Sequence, residues 1–190
     1  MKPPPANVKR VLETDLAETA PEEADPSGPA VDILIESDAW QDLPEAGSIA
    51  RRAIAAASGD AAGLRDTEVS VLLCDDTMIA TLNGRWRGQE KPTNVLSFPA
   101  QPLQGGGMMT QEKRPLGDIA IAYETLVREA GESGKTASAH LSHLVVHGFL
   151  HLLGHDHETD DEAERMEHLE REILARMGVT DPYAACDADI

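Results

Sequence analysis

Residues 136–157 read TASAHLSHLVVHGFLHLLGHDH. The spacing of apolar residues predicts one helix over 136–154, stopped by Gly154, a residue that can take the left-handed conformation which ends helices. On that helix His147 and His151 stand four apart, on the same face and one turn from each other. A chain that folds back after Gly154 can return His157 to the same point. Three imidazoles and one open position describe a catalytic zinc site, whereas structural zinc sites are usually closed by four ligands. The pattern therefore predicts one zinc ion per chain, held by His147, His151 and His157.

The rest of the histidine distribution supports a local purpose. The chain has seven histidines, at 140, 143, 147, 151, 155, 157 and 168, and none precedes residue 140. His143 lies near the ligand face, but it is about 12 Å along the axis from His151, too far to share one ion easily. It is expected to support the site or to pack. His155 is expected to face solvent or substrate, and His140 and His168 to lie at the surface. The His-x3-His-x2-Gly-x2-His spacing is that of metzincin proteases, which place a glutamate directly after the first histidine as general base. Here that position is Gly148, so peptide hydrolysis by that route has no proton acceptor.

Outward from the helix, elements alternate. Strands are expected at 31–37, 67–74, 94–98 and 116–123, and helices at 46–58, 75–86, 124–133, 136–154 and 159–178. Asp75 or Asp76 and Thr159 or Asp160 are candidate N-caps, and Gly178 a helix stop. The expected fold is α/β (α+β): a single small mixed sheet of about four strands packed with helices, with the metal site at a C-terminal helix. Residues 1–29 are rich in Pro, Ala and Glu without apolar period and read as a disordered acidic tail. Residues 30–178 read as the single folded domain, and 179–190 as an acidic tail.

Three blocks together carry a resemblance: GRWRGQEKPTNVLSFP (84–99), LGDIAIAY (116–123) and HGFLHLLGHDH (147–157). In that order they resemble the YbeY family of bacterial single-strand-specific endoribonucleases, over roughly residues 31–178. The resemblance implies zinc on His147, His151 and His157, and a role in activity for Arg87. It implies single-stranded RNA as substrate, and work on rRNA and the ribosome: maturation of small-subunit rRNA ends and ribosome quality control. Arg87 has the planar, permanently charged fork that suits a phosphate. Arg85, Lys91 and Lys113 are candidates to track an RNA backbone, with Trp86 or Phe98 as a stacking face. Thr93, Asn94 and Ser97 either contact RNA or form a strand-entry turn. Asp118 either orients a ligand histidine or caps a loop. Asp156 is a weak candidate for general base.

Composition bounds these readings. The net charge of −18 argues against loose, non-specific nucleic-acid binding. The charge is uneven, however. Residues 81–115 hold Arg85, Arg87, Lys91, Lys113 and Arg114 against Glu90 and Glu112, a local positive excess. No stretch of about 18 apolar residues is present, so no membrane span is expected. The N-terminal stretch lacks the apolar core of a secretory signal. Two cysteines, Cys74 and Cys186, fit a reducing cytoplasm, with Cys74 as a buried hydrophobe. Two other functions stay open. One is a ribosome-assembly factor with a structural zinc that reaches RNA through basic ribosomal proteins. The other is a hydrolase of another phosphoester.

Overall fold

Strand pairing is set by two apolar runs that are buried on both sides. TEVSVLLC forms β2 (Thr67–Cys74) and RPLGDIAIA forms β4 (Arg114–Ala122). Near-continuous apolar runs of this kind are what strands covered on both faces require. The computed structural model describes residues 28–59, 61–100 and 113–184. Most of the N-terminal tail (1–27), most of the glycine-rich loop (101–112) and residues 185–190 with Cys186 lie outside the described residues.

The sheet order is β1-β2-β4-β3, with β1 (Ala30–Ile35) and β3 (Val95–Pro99) at the edges. β1, β2 and β4 are parallel; β3 runs antiparallel to β4, in the register Val95↔Ile121 to Pro99↔Gly117. Parallel neighbours need a crossover, and α1 (Ala46–Ser58) supplies it between β1 and β2. This is the expected mixed four-stranded sheet. Two 3-10 turns that periodicity did not suggest, Asp38–Asp42 and Ala62–Leu64, shape the ends of that crossover.

Alternation along the strands divides the core in two. Val69, Val71, Leu73, Ile119 and Ile121 face a cluster that includes Ile49 and Ile54 of α1, Leu126 of α3 (Tyr123–Glu132), and Val145 and Phe149 of α4 (Ala137–Leu152). Met166, Ile173 and Leu174 of α5 (Asp160–Arg176) complete it. Leu72, Cys74, Ala120 and Ala122 face the other way, onto Ile79 and Leu82 of α2 (Asp76–Arg87). Burial pushes the Cys74 thiol up to about 12, helped by the nearby Asp75 carboxylate, so it behaves as a small hydrophobe.

α4 is the central helix, in contact with α1, α3, α5 and the β3–β4 edge of the sheet. It is buried nearly all round, as an apolar sequence on every side requires. It crosses the sheet at Gly148. A Cβ there would stand 3.0 Å from both Ile119 Cγ2 and Ser97 Oγ. The helix can lie this close only because residue 148 has no side chain, which also leaves no room for a metzincin-type glutamate.

Candidate metal centre

The helix that carries two of the histidines is closed at both ends by its own chemistry. Thr136 caps its start, its hydroxyl accepting from Ala139 N at 3.1 Å. At the other end, Gly154 N donates to His151 O at 3.0 Å and His155 N to Leu150 O at 3.0 Å. That pair of bonds is a Schellman motif, with Gly154 at φ +91° in the position that favours glycine. The next turn is tied by Asp156 Oδ1, which accepts from His157 N at 2.8 Å. A capping box of Thr159 and Glu162 then starts α5. Asp75 caps α2 with its side chain alone, accepting from Met78 N at 2.7 Å.

These turns converge His147, His151 and His157. One ring nitrogen from each lies within 4.8 Å of the others. His147 and His157 stack with centroids 5.6 Å apart, and His151 meets His157 edge-on at 5.0 Å. His147 and His151 are half-buried and His157 is exposed, so the centre opens to solvent on one side.

Hydrogen bonds on the far side of two rings decide their tautomers. His147 Nδ1 donates to Glu170 Oε1 at 2.8 Å, and His151 Nδ1 donates to His155 O at 3.0 Å. Neither acceptor can give a proton back while Glu170 is ionised. When both rings are neutral this leaves the lone pairs on the Nε2 atoms, which face each other at 3.2 Å. A metal ion between two such acceptors would satisfy both. Two nitrogens at about 2.0–2.1 Å from one ion, at the tetrahedral angle, stand about 3.3 Å apart. The donor set fits a divalent metal ion.

Glu170 is the residue that sequence reasoning missed. It is fully buried on α5 and also accepts from His143 Nε2 at 2.9 Å and from the Tyr183 hydroxyl. Burial alone would raise its pKa. The bonds from His143, His147 and Tyr183 prevail and hold the carboxyl down at about 2. A signal was present: Met166, Glu170, Ile173 and Leu174 share one helical stripe, so Glu170 is an acid on an apolar face. His151 is held below the usual imidazole range, first by burial and then by the neighbouring His147 and His157. That favours the neutral form a metal requires.

Other expectations sort as follows. His143 supports the site through Glu170, as its position along the helix suggested. His155 is exposed and contributes its carbonyl to His151. His168 is exposed, but His140 is buried at 8% and pairs with Glu129 at 3.0 Å, which corrects the surface placement. Glu129 also accepts from Asn94 Nδ2 at 2.9 Å, while Asn94 Oδ1 accepts from Val95 N at 2.7 Å; Asn94 thus forms the strand-entry turn. Asp118 pairs in register with Ser70 and Phe98 on the α2 side of the sheet, away from α4. It cannot orient the histidines, because strand side chains alternate between faces. Phe98 is buried at 5% in the α2 cluster and offers no stacking face.

Arg87 ends α2, the helix on the other face of the sheet from α4. It is exposed, and among the described residues its guanidinium has no hydrogen bond or ion pair. Nothing among those residues links it to the three histidines. Arg85, Lys91, Lys113 and Arg114 are also exposed, and Arg85 lies over the half-buried Trp86 ring at 5.1 Å. No helix among the described residues is long and apolar enough to cross a membrane.

A mixed four-stranded sheet, with three imidazoles converging at the end of a glycine-stopped helix, defines a small α/β protein whose histidine cluster could hold a metal ion. A family profile described as Endoribonuclease YbeY matches residues 34–178. Proteins of that name include one from Nitrobacter winogradskyi, 55% identical over 157 residues that cover 82% of this chain and 83% of the relative. One from Bradyrhizobium sp. is 57% identical over 157 residues, covering 82% and 93%. One from Rhodopseudomonas palustris strain BisB18 is 57% identical over 160 residues, covering 84% and 95%. The chain belongs to the YbeY endoribonuclease family.

Proposed function

We propose that this protein is a zinc-dependent, single-strand-specific endoribonuclease of the cytoplasm that acts on rRNA, in small-subunit end maturation and ribosome quality control. Family membership supports the endoribonuclease reading. The observation that carries the metal chemistry is the convergence of His147, His151 and His157, with the Nε2 atoms of the first two face to face at 3.2 Å. His147, His151 and His157 hold one zinc ion. When bound, the ion supplies Lewis acidity toward a phosphoryl oxygen and brings the pKa of a coordinated water to about 7.

The remaining work falls to the protein. Glu170 keeps the donor nitrogen of His147 aimed at the site, and the His155 carbonyl does the same for His151. Arg87 is catalytic: its exposed guanidinium, unpaired among the described residues, binds the scissile phosphate or the charge that develops there. Arg85, Lys91 and Lys113 attract the strand backbone, so an acidic protein presents a basic approach to RNA. Basic ribosomal proteins are fitting partners for the acidic remainder.

The test uses a single-stranded RNA and the purified protein. His151→Ala should lose both zinc, by mass spectrometry, and cleavage. Arg87→Glu should keep zinc and lose cleavage. Full zinc and full rate in the His151 variant would overturn the assignment, and an unchanged rate for the Arg87 variant would remove its phosphate role. Metal loss that unfolds a protein with no cleavage of RNA would favour the assembly-factor reading. Equal cleavage of DNA or small phosphoesters would favour the broader hydrolase.

A further inference from the structure

The segment after α5 begins with a glycine-stopped turn like the one that ends α4. Gly178 N donates to Ala175 O at 3.0 Å and Val179 N to Leu174 O at 2.9 Å. Sequence reasoning placed this segment in an acidic tail, and it lies beyond residues 34–178 of the family match. Its residues 179–184 run back toward the histidine cluster. Pro182 is buried and its carbonyl accepts from Lys135 Nζ. Arg171 pairs with Asp181 at 3.7 Å and covers the Tyr183 ring at 5.0 Å. Asp181 Oδ1 accepts from Tyr183 N at 2.9 Å. The Tyr183 ring meets His143 edge-on, with centroids 5.5 Å apart, and its hydroxyl donates to Glu170 Oε2.

Resting on the metal-centre reading above, we propose that Tyr183 is a positioning residue for the metal, acting through Glu170 on His147. A glutamate carboxylate turns easily about its last torsion, which has broad, two-fold preferences. Oε1 of Glu170 accepts a hydrogen bond from His147 Nδ1, while Oε2 accepts from His143 Nε2 and the Tyr183 hydroxyl. The two donors on Oε2 fix the carboxylate plane from opposite elements: His143 from α4 and Tyr183 from the segment after α5. With the plane fixed, Oε1 has one direction, the His147 ring has one orientation, and its Nε2 lone pair points into the site. The anchors at Lys135 and Arg171 place the hydroxyl; they do not touch the carboxylate themselves.

The test is the zinc dissociation constant of full-length protein, measured by competition with a chelator, alongside the unfolding temperature of the metal-free form. Tyr183→Phe keeps the ring and removes only the hydroxyl. Changing a group that orients a ligand lowers metal affinity by about 10- to 100-fold. Tyr183 is one bond further out, so a weakening of about 3- to 10-fold is expected. In a Glu170→Gln background, Tyr183→Phe should add less than about twofold, since the path through Glu170 is already cut. Lys135→Met, which loosens the segment from a distance, should weaken zinc in the same direction and serves if the Phe variant folds poorly. Affinity within twofold of wild type in both variants, with only the metal-free unfolding temperature lowered, would make the segment a structural clasp and overturn the proposal. So would equal losses with and without Glu170. Failure of wild-type protein itself to bind zinc, or unchanged binding in His151→Ala, would instead strike the metal-centre reading.

Discussion

Glu170→Gln is the most informative single change. The substitution keeps the shape, removes the charge and exchanges one acceptor oxygen for an NH2 donor. Three donors converge on this carboxylate: His147 Nδ1 at 2.8 Å, His143 Nε2 at 2.9 Å and the Tyr183 hydroxyl. An amide oxygen has two lone pairs, so at least one donor then meets an NH2 group. If His147 changes tautomer to escape that clash, its Nε2 carries the proton and cannot ligate. Zinc affinity should fall by about 10- to 100-fold, or about 1.4–2.7 kcal/mol.

The same variant carries a pH signature. Glu170 is held at about 2 against an ordinary 4.5. A depressed carboxyl stabilises the folded state above the unfolded pKa, and the benefit drains away as pH falls through the folded one. The shift is worth about 3 kcal/mol. Metal-free wild type should therefore exceed Glu170→Gln in stability by up to about that amount at pH 7, and the gap should close between about pH 5 and pH 2. Urea unfolding across that range measures it. A gap that stays constant with pH, together with unchanged zinc affinity, would refute the role given to the buried carboxylate.

Three further outcomes are expected. Gly148→Ala puts a methyl 3.0 Å from the fully buried Ile119; overpacking of about 1–3 kcal/mol should outweigh the gain of about 1 kcal/mol in helix propensity, and an unfolding temperature above wild type would show the crossing is looser than described. The Cys74 thiol, buried and raised to about 12, should resist a thiol reagent in native protein and react on unfolding; labelling at the native rate of a free thiol would contradict that burial. In metal-free protein, His151 should titrate below 6.5 by NMR, because burial and its neighbouring imidazoles favour the neutral ring; a midpoint at or above 6.5 would mean the site is more hydrated than its geometry states.

Much of this molecule is readable locally. His147 and His151 share a face because a helix repeats every 3.6 residues, and Gly154 ends that helix because a positive φ costs it nothing. The alternation of Val69, Val71 and Leu73 against Leu72 and Cys74 places β2 between two layers for the same reason. Such features depend on bonds and side chains a few residues apart, so composition and spacing suffice. What tertiary packing decided lies across long gaps in the chain. Glu170 reaches His147 only because α5 docks on α4, 23 residues away in sequence, and Tyr183 reaches Glu170 only because the chain turns back at Gly178. Asp118 looked able either to orient a ligand histidine or to cap a loop, since a strand buried on both sides shows no polar face in its sequence; alternation along β4 puts it on the α2 side, opposite Phe98. His140 looked like a surface residue until α3 supplied Glu129 to accept its hydrogen bond. Periodicity names the groups on each face of an element, but the partner that makes a buried charge or imidazole affordable comes from another element, and only the packed fold brings it there.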